Sequence, residues 1–389
     1  MKKNLMTRRQ FLKMTGKGLA AAVFAGSLAQ VSLPAAKAEN EIVSVNSLVK
    51  GPKEMRVVFL ERLSDKKSDA FYIACTDENG MELYLVDGGL ATGKCSLELN
   101  TLRKEILKKA GLESEYKNKN YKLDIHLLIS HFHSDHVREL SNGLIAHKYM
   151  RILSAYYPAP TVLDQSGVYD NSKNSDIDDR AGVLSTLTRC WPDAPQHEIG
   201  FGDTYVVDTN VGELKLFASD MDWGTEENAK YAEKVYYPDS PADRRTDMPV
   251  AVVNCNCLWM RFAYGGHSVL FTGDTMKKKE AVTDEPLDRF IAYYGSAALR
   301  SDIVKYPHHG LSRNPAAAPI ARHLITDDEA ACCILTGKGA GKTAGAAPGS
   351  HPGSFGMCCG LPGFCQKSRW QVCIPNRIMW YCGLCLCIF

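Results

Sequence analysis

Apolar and polar residues in the first third of the chain alternate in short runs that predict strands. Three such runs are residues 55–60, 70–75 and 82–86. The last two runs are separated by the sequence Asp-Glu-Asn-Gly at residues 77–80, which is typical of a turn. Residues 97–110 have apolar side chains at helical spacing, and Gly111 favours the end of that helix.

The middle of the chain changes from a clear pattern to a weak one. Residues 125–129 predict a buried strand, and residues 135–147 predict a helix that follows it. Residues 150–250 are rich in Asp, Asn, Tyr and Pro and show regular patterns only at residues 204–207 and 213–217. We interpret this region as an insertion that shapes a substrate site.

A second patterned region begins near residue 257. Residues 257–264 and 268–272 flank a Gly-Gly pair and predict a β-hairpin. A helical segment follows, and residues 302–306 then predict another buried strand. Strands mixed with single helices and without a repeat predict a layered α/β fold.

Composition sets wide limits on what the chain can be. Its 389 residues, 45% hydrophobic and 23% charged, suffice for one large or two small globular domains. The formal net charge is only +2, so no general electrostatic field attracts nucleic acid or membranes. Any preference for a polyanion must come from a local site.

Residues 1–38 have the three parts of an export signal. Arg8 and Arg9 lie in the sequence Thr-Arg-Arg-Gln-Phe-Leu-Lys, which fits the twin-arginine pattern; an apolar stretch and an Ala-Lys-Ala cleavage site follow. We therefore predict transport by the twin-arginine machinery, cleavage before Glu39 and a periplasmic or extracellular protein with no stable membrane span after processing. The alternatives are an uncleaved anchor or a chance arginine pair.

The last 44 residues, 346–389, differ from the rest of the chain. They contain seven cysteines and no Asp or Glu, and neither a helix nor a strand pattern fits them. A reading-frame shift in the source gene is one explanation, and a genuine cysteine-rich module is the other. The predicted catalytic domain is accordingly residues 39–345.

Residues 131–136 carry the clearest chemical signal, with the sequence His-Phe-His-Ser-Asp-His. Imidazole and carboxylate groups are ligands that zinc, manganese and iron share. At the end of a strand, His131 and His133 are expected to bind one ion, and Asp135 and His136 a second. Two divalent ions are therefore predicted, with zinc as the first choice and manganese or iron as alternatives.

Two later motifs complete this predicted site. Asp274 follows a strand and a glycine and is the expected bridging carboxylate. In the Pro-His-His-Gly turn at residues 307–310, His309 would complete the second ion site. His308 could donate a proton to the leaving group, so that His308 and Asp135 are the predicted catalytic residues.

The order of these motifs resembles the metallo-β-lactamase superfamily. It consists of Asp-Gly-Gly at residues 87–89, the cluster at 131–136, Thr-Gly-Asp at 272–274 and the turn at 307–310. The resemblance implies an αββα sandwich with two metal ions at the rim between its sheets. It also implies that Asp87 hydrogen bonds to the ligands and that a metal-bound hydroxide carries out hydrolysis.

Residues 254–261, followed by a Gly-Gly hairpin, are similar to the hydrolase domain of DNA-uptake competence proteins. The resemblance spans about residues 55–345. Asn254 stands where classical members of the superfamily have a third histidine of the first ion site, and the competence-like branch tends to have Asn there too. Because asparagine is a weak ligand, Asn254 is expected next to the ligands of the first ion, in the same surrounding layer as Asp87.

A run of three lysines, Lys277, Lys278 and Lys279, begins just after Asp274. Ammonium groups near the mouth of the site could hold a phosphate backbone, although the solvated start of a helix is the other interpretation. The leading hypothesis is an exported phosphodiesterase or nuclease-like hydrolase. The alternatives are a hydrolase of another ester or amide, such as a phosphocholine ester or a β-lactam, and a metal-poor binding protein without catalysis.

Overall fold

The computed structural model describes residues 41–60, 69–90, 93–160, 179–202, 204–218, 254, 257–275, 285–305, 332–334, 357–359 and 386–388. These residues form two β-sheets with helices on their outer faces. The strands are β1 (Val43–Ser44), β2 (Glu54–Phe59), β3 (Phe71–Thr76), β4 (Met81–Val86), β5 (Tyr121–Leu128), β6 (Met150–Pro158), β7 (Gln196–Ile199), β8 (Thr204–Asp208), β9 (Glu213–Ala218), β10 (Leu258–Tyr264), β11 (His267–Phe271), β12 (Ile303–Lys305), β13 (Cys332–Ile334), β14 (Met357–Cys359) and β15 (Leu386–Ile388). The helices are α1 (Lys94–Lys109), α2 (Ser134–Glu139), α3 (Arg180–Cys190), α4 (Glu285–Tyr294) and α5 (Ser296–Leu299).

The first sheet has the strand order β15-β2-β3-β4-β5-β6-β7, and β1 also pairs with β5. Its strands β2, β3 and β4 are antiparallel, whereas β4 to β7 run parallel. The second sheet has the order β14-β13-β12-β11-β10-β9-β8, with an antiparallel β8-to-β11 part and a parallel pairing of β11, β12 and β13. Parallel pairs align the carboxyl ends of neighbouring strands.

A shared apolar core holds the two sheets face to face. Met55 and Ile73 from the first sheet lie in one buried cluster with Leu216 of the second. The rings of Phe71 and Phe271, one from each sheet, are 5.1 Å apart. This interior layer removes one face of each sheet from water, which is the main stabilising contribution in such a sandwich.

Helices cover the opposite faces. Leu99, Leu102 and Ile106 of α1 have the spacing of one helical face and pack in the cluster on the outer side of the first sheet. On the second sheet, Trp259 contacts Phe290 of α4, with ring centroids 4.5 Å apart. The predicted αββα sandwich is therefore confirmed. None of the helices in the described residues has the length and apolar run needed to cross a membrane.

Helix α1 is tied at its start to the segment that follows the histidine cluster. The backbone N–H groups of Cys95 and Ser96 donate to the carboxylate of Glu139, at 3.3 and 2.6 Å, and the Ser96 hydroxyl donates to the same group at 2.8 Å. The buried carboxylate accepts hydrogen bonds from N–H groups that lack partners within the helix. Its negative charge also interacts favourably with the positive end of the helix dipole. The helix ends before Gly111, whose φ is +70°, as its pattern predicted.

The structure differs from the pattern-based prediction in three places. The helix predicted over residues 135–147 is α-helical only to Glu139 and continues as a π-helical turn, Leu140–Leu144. Strands β6 and β7 and helix α3 lie where the pattern was irregular. The tail, for which no strand was predicted, supplies β14 to the second sheet and β15 to the first.

Candidate metal centre

Residues from both sheets meet at one edge of the sandwich, each just beyond the end of a strand. His131 follows β5, and Asp274 follows β11. The backbone N–H of Leu258, from the second sheet, donates to the carbonyl of Ser130 in the first at 2.6 Å. The two sheets therefore approach each other closely at the position where the sequence predicted the site.

Three side chains at this edge form a compact group of potential metal ligands. His131, His136 and Asp274 each offer one ligand atom, and these atoms lie within 4.8 Å of one another. The residues are 0%, 0% and 1% exposed, respectively. Two imidazole nitrogens and a carboxylate oxygen suit zinc and related divalent ions, so the donor set fits the metal that the sequence predicts.

Asp87 forms hydrogen bonds that orient the histidines of the centre. Its Oδ1 accepts the backbone N–H of Ser130 at 2.7 Å, and its Oδ2 accepts the Ser130 hydroxyl at 2.7 Å. The same Oδ2 lies 2.8 Å from Nδ1 of His136. Asp87 is buried and has a positive φ of +58°, a conformation that is uncommon for a residue other than glycine.

These bonds fix which nitrogen of each ring faces the centre. The Ser130 hydroxyl donates its single hydrogen to Oδ2 of Asp87. The Ser130 oxygen, 2.9 Å from Nδ1 of His131, then accepts from that nitrogen. Nε2 of His131 is left with its lone pair, and His136 likewise uses Nδ1 for Asp87 and presents Nε2.

The remaining members of the histidine cluster lie close by. Nδ1 of His133 is 3.2 Å from Nε2 of His131, and the side chain of His133 is buried. Asp135 is partly exposed in the first turn of α2. Among the described residues, the group within 4.8 Å includes neither of these two side chains.

Asp274 reaches the centre through a glycine that no other residue could readily replace. Gly273 has a φ of +56°, and a Cβ on it would lie 2.8 Å from Sγ of Cys257 and 3.2 Å from Cβ of Ser130. Oδ1 of Asp274 is 3.3 Å from Nε2 of His136. Close approach of the two sheets and the position of the carboxylate thus both depend on this turn.

Lys305, at the end of β12, is buried beside Asp274. Its Nζ donates to the Gly273 carbonyl at 2.8 Å and to Oδ1 of Asp274 at 3.1 Å, and it forms an ion pair with the buried carboxylate of Asp69. Burial acts to lower the pKa of Lys305, but Asp69 and Asp274 outweigh it and raise that pKa above its ordinary value. The lysine is therefore charged at neutral pH.

When no metal is bound, the pKa values of the two central histidines are shifted in opposite directions. Burial and the neighbouring charges of His136 and His133 hold the pKa of His131 well below its ordinary value. Burial also acts to lower the pKa of His136, but Asp274 and Asp87 raise it to about 10. Without metal, His136 carries a proton that a bound cation would displace.

The other predicted site residues lie outside this group of ligands or outside the described residues. Asn254 is fully buried, and its backbone carbonyl accepts a hydrogen bond from the Cys257 thiol at 3.1 Å. The predicted catalytic His308, the ligand His309 and the lysine run at residues 277–279 lie outside the described residues.

Sequence reasoning missed three residues of this centre: Ser130, Asp69 and Lys305. Lys305 did carry a signal, since a lysine inside an otherwise apolar strand is seldom buried without a charged partner. Asp69 had a comparable position directly before β3. Ser130 had no signal of its own, because a serine at the end of a strand is common in turns.

No family model matches the chain, and no curated protein matches it. Among solved structures, the metallo-beta-lactamase fold protein YhfI from Bacillus subtilis is 13% identical, with 66% of this chain and 71% of that chain covered and a TM-score of 0.32. Zn(2+)-bound PqqB from Methylobacterium extorquens is 12% identical (65% and 72% covered, TM-score 0.32), and unliganded yeast PDE1 is 10% identical (66% and 76% covered, TM-score 0.36). The architecture of this chain, two facing sheets with helices outside and a cluster of potential ligands at one edge, is an αββα sandwich.

Proposed function

We propose that the protein is an exported metal-dependent hydrolase that cleaves phosphodiesters. The observation that supports this most is the buried group of His131, His136 and Asp274 at the edge between the sheets. Its histidines are oriented by Asp87 and Ser130 so that one nitrogen of each ring faces the group.

The proposed ligands of two divalent ions are His131, His133, Asp135, His136, Asp274 and His309. When bound, such ions supply Lewis acidity at an ester oxygen and lower the pKa of a water molecule. Asp87 keeps His136 and, through Ser130, His131 in the binding tautomer. His308 donates a proton to the leaving group, while Lys277, Lys278 and Lys279 hold the phosphate backbone.

Metal content and hydrolysis of bis-p-nitrophenyl phosphate by the full chain test this proposal. We expect up to two divalent ions per chain, loss of turnover on chelation and its return on adding zinc or manganese. A protein that binds no divalent ion would contradict the proposed activity. Faster cleavage of a β-lactam than of any phosphodiester would instead contradict the substrate class.

The lysine run is tested by changing all three lysines to glutamine. If they contact a phosphate backbone, KM for a nucleic-acid substrate rises and its salt dependence becomes weaker. Turnover of the small aryl phosphodiester then stays nearly unchanged and serves as the control. Equal losses on both substrates would show that the lysines support the fold.

Export is proposed from the twin-arginine pattern in residues 1–38 alone. Replacing Arg8 and Arg9 with lysine should hold the precursor inside the cell. Normal processing and export of that variant would contradict the route.

A further inference from the structure

Lys305 stands out because a lysine is rarely buried this completely. It is 1% exposed, and its ammonium group donates to the Gly273 carbonyl and to Asp274 and forms an ion pair with Asp69. The charge is held at a defined place beside the centre.

The acceptors of Lys305 fix the conformation of the segment that carries Asp274. One donor binds the backbone carbonyl just before Asp274, at 2.8 Å, and another binds its Oδ1, at 3.1 Å. The same Oδ1 lies 3.3 Å from Nε2 of His136. Backbone and side chain are held together, so the carboxylate has little freedom to turn away from the histidines.

A positive charge this close to the centre would by itself weaken binding of a cation. Asp69 offsets it from the other side, and it is also buried, at 1% exposed. Asp69 lies just before β3 in the first sheet, whereas Lys305 belongs to the second. The ion pair therefore crosses the sandwich, and the negative charge of Asp69 opposes the positive charge of Lys305 next to Asp274.

We propose that Lys305 is a positioning residue for the metal centre, holding Asp274 in its ligand orientation, and that Asp69 acts through Lys305 by neutralising its charge. This inference rests on the proposed function only in requiring that the centre bind a divalent ion. It assigns a role to two buried charged residues outside the proposed ligand set. Partners of metal ligands commonly change metal affinity 10- to 100-fold.

Arg103 offers a matched control, because it is also a fully buried cation. Its guanidinium donates to four backbone carbonyls, those of Glu115, Tyr116, Asn118 and Tyr121, at 2.6 to 3.2 Å. These contacts connect α1 to the start of β5. Loss of Arg103 should lower stability without changing the centre.

The experiment measures the Kd for Zn²⁺ by chelator competition, the visible spectrum of the Co²⁺ form and urea unfolding for the full chain. The variants are Lys305→Met, Asp69→Asn, the double variant and Arg103→Met. We expect Lys305→Met to raise the Kd roughly 10- to 100-fold and to alter the Co²⁺ spectrum. Asp69→Asn should raise it about tenfold when Lys305 is present and have little further effect in the double variant.

Arg103→Met should lose stability while keeping the wild-type Kd. An unchanged Kd and spectrum in both Lys305→Met and Asp69→Asn would overturn the positioning role while leaving the proposed function intact. Additive effects of the two changes would overturn the claim that Asp69 acts through Lys305. If Lys305→Met does not fold, the near-isosteric Asp69→Asn decides the question through its Kd, and failure of the wild type to bind metal would overturn both proposals.

Discussion

The two sheets contribute to the metal centre in different ways. The first sheet supplies histidines from one six-residue stretch, and a single carboxylate, Asp87, contacts His136 directly and His131 through Ser130. Among the described residues, the second sheet supplies Asp274, which is supported by Lys305 from a neighbouring strand. One half is a compact local motif, and the other is assembled from separate parts of the chain.

This difference shows that a site can be local in sequence on one side and tertiary on the other. The histidine side depends on contacts within the first sheet, because Asp87 and the cluster follow the adjacent parallel strands β4 and β5. The Asp274 side depends on contacts across the sandwich, such as Lys305 with Asp69. We therefore expect substitutions on the two sides to change metal binding and stability in distinguishable ways.

The largest effect is expected at His136, the side chain that contacts both sides. Its Nδ1 meets Asp87 at 2.8 Å and its Nε2 lies 3.3 Å from Asp274. His136→Ala should bind at least one ion fewer per chain and lose hydrolysis, as measured by metal analysis and aryl phosphodiester turnover. His126→Ala is the control, because that ring bonds to Ser154 and stacks on Tyr84 away from the centre; unchanged metal content in His136→Ala would refute its ligand role.

Asp87→Asn should have an intermediate effect confined to the histidine side. Asparagine tolerates a positive φ, so the variant changes the hydrogen bonds without adding backbone strain at φ +58°. We expect the Kd for Zn²⁺ to rise roughly 10- to 100-fold, measured by chelator competition. Asp87→Ala should lose stability in addition, and equal affinity in the wild type and Asp87→Asn would show that Asp87 does not orient the ligands.

The smallest effect on the centre itself is expected at Gly273, where substitution changes the approach of the sheets and is measured as a loss of stability. Gly273→Ala adds a Cβ at 2.8 Å from Sγ of Cys257 in a left-handed conformation, whereas Gly93→Ala has a similar φ and nothing within 4 Å. The backbone contribution is about 1–2 kcal/mol in each variant, and the clash should cost Gly273→Ala about 1–3 kcal/mol more. Urea unfolding of the two variants measures that difference; equal losses would mean that the turn at residue 273 can relax.

Much of the region around the centre was predictable from sequence. The strands β2, β3, β4, β10 and β11 carry clear apolar runs bounded by turns. The histidine cluster is dense enough to indicate metal without knowledge of the fold. Both signals are local, and local patterns are what a sequence displays directly.

The features that were not predicted depend on tertiary contacts. The second half of β6 is buried on both faces, so it shows no alternation. The three-residue strands β14 and β15 are too short to have a period and exist through pairing with β13 and β2. The partnership of Lys305 with Asp69 joins residues on different sheets, and no spacing in the sequence could reveal it.

The parallel pairing of β11 with β12 also has a consequence for how the protein folds. Parallel strands need long crossover connections, and contacts between distant segments form late because closing long loops costs entropy. The centre is complete only after the two sheets have docked. We therefore expect added metal to slow unfolding while leaving the refolding rate nearly unchanged, so that the ion protects the finished molecule and does not guide its assembly.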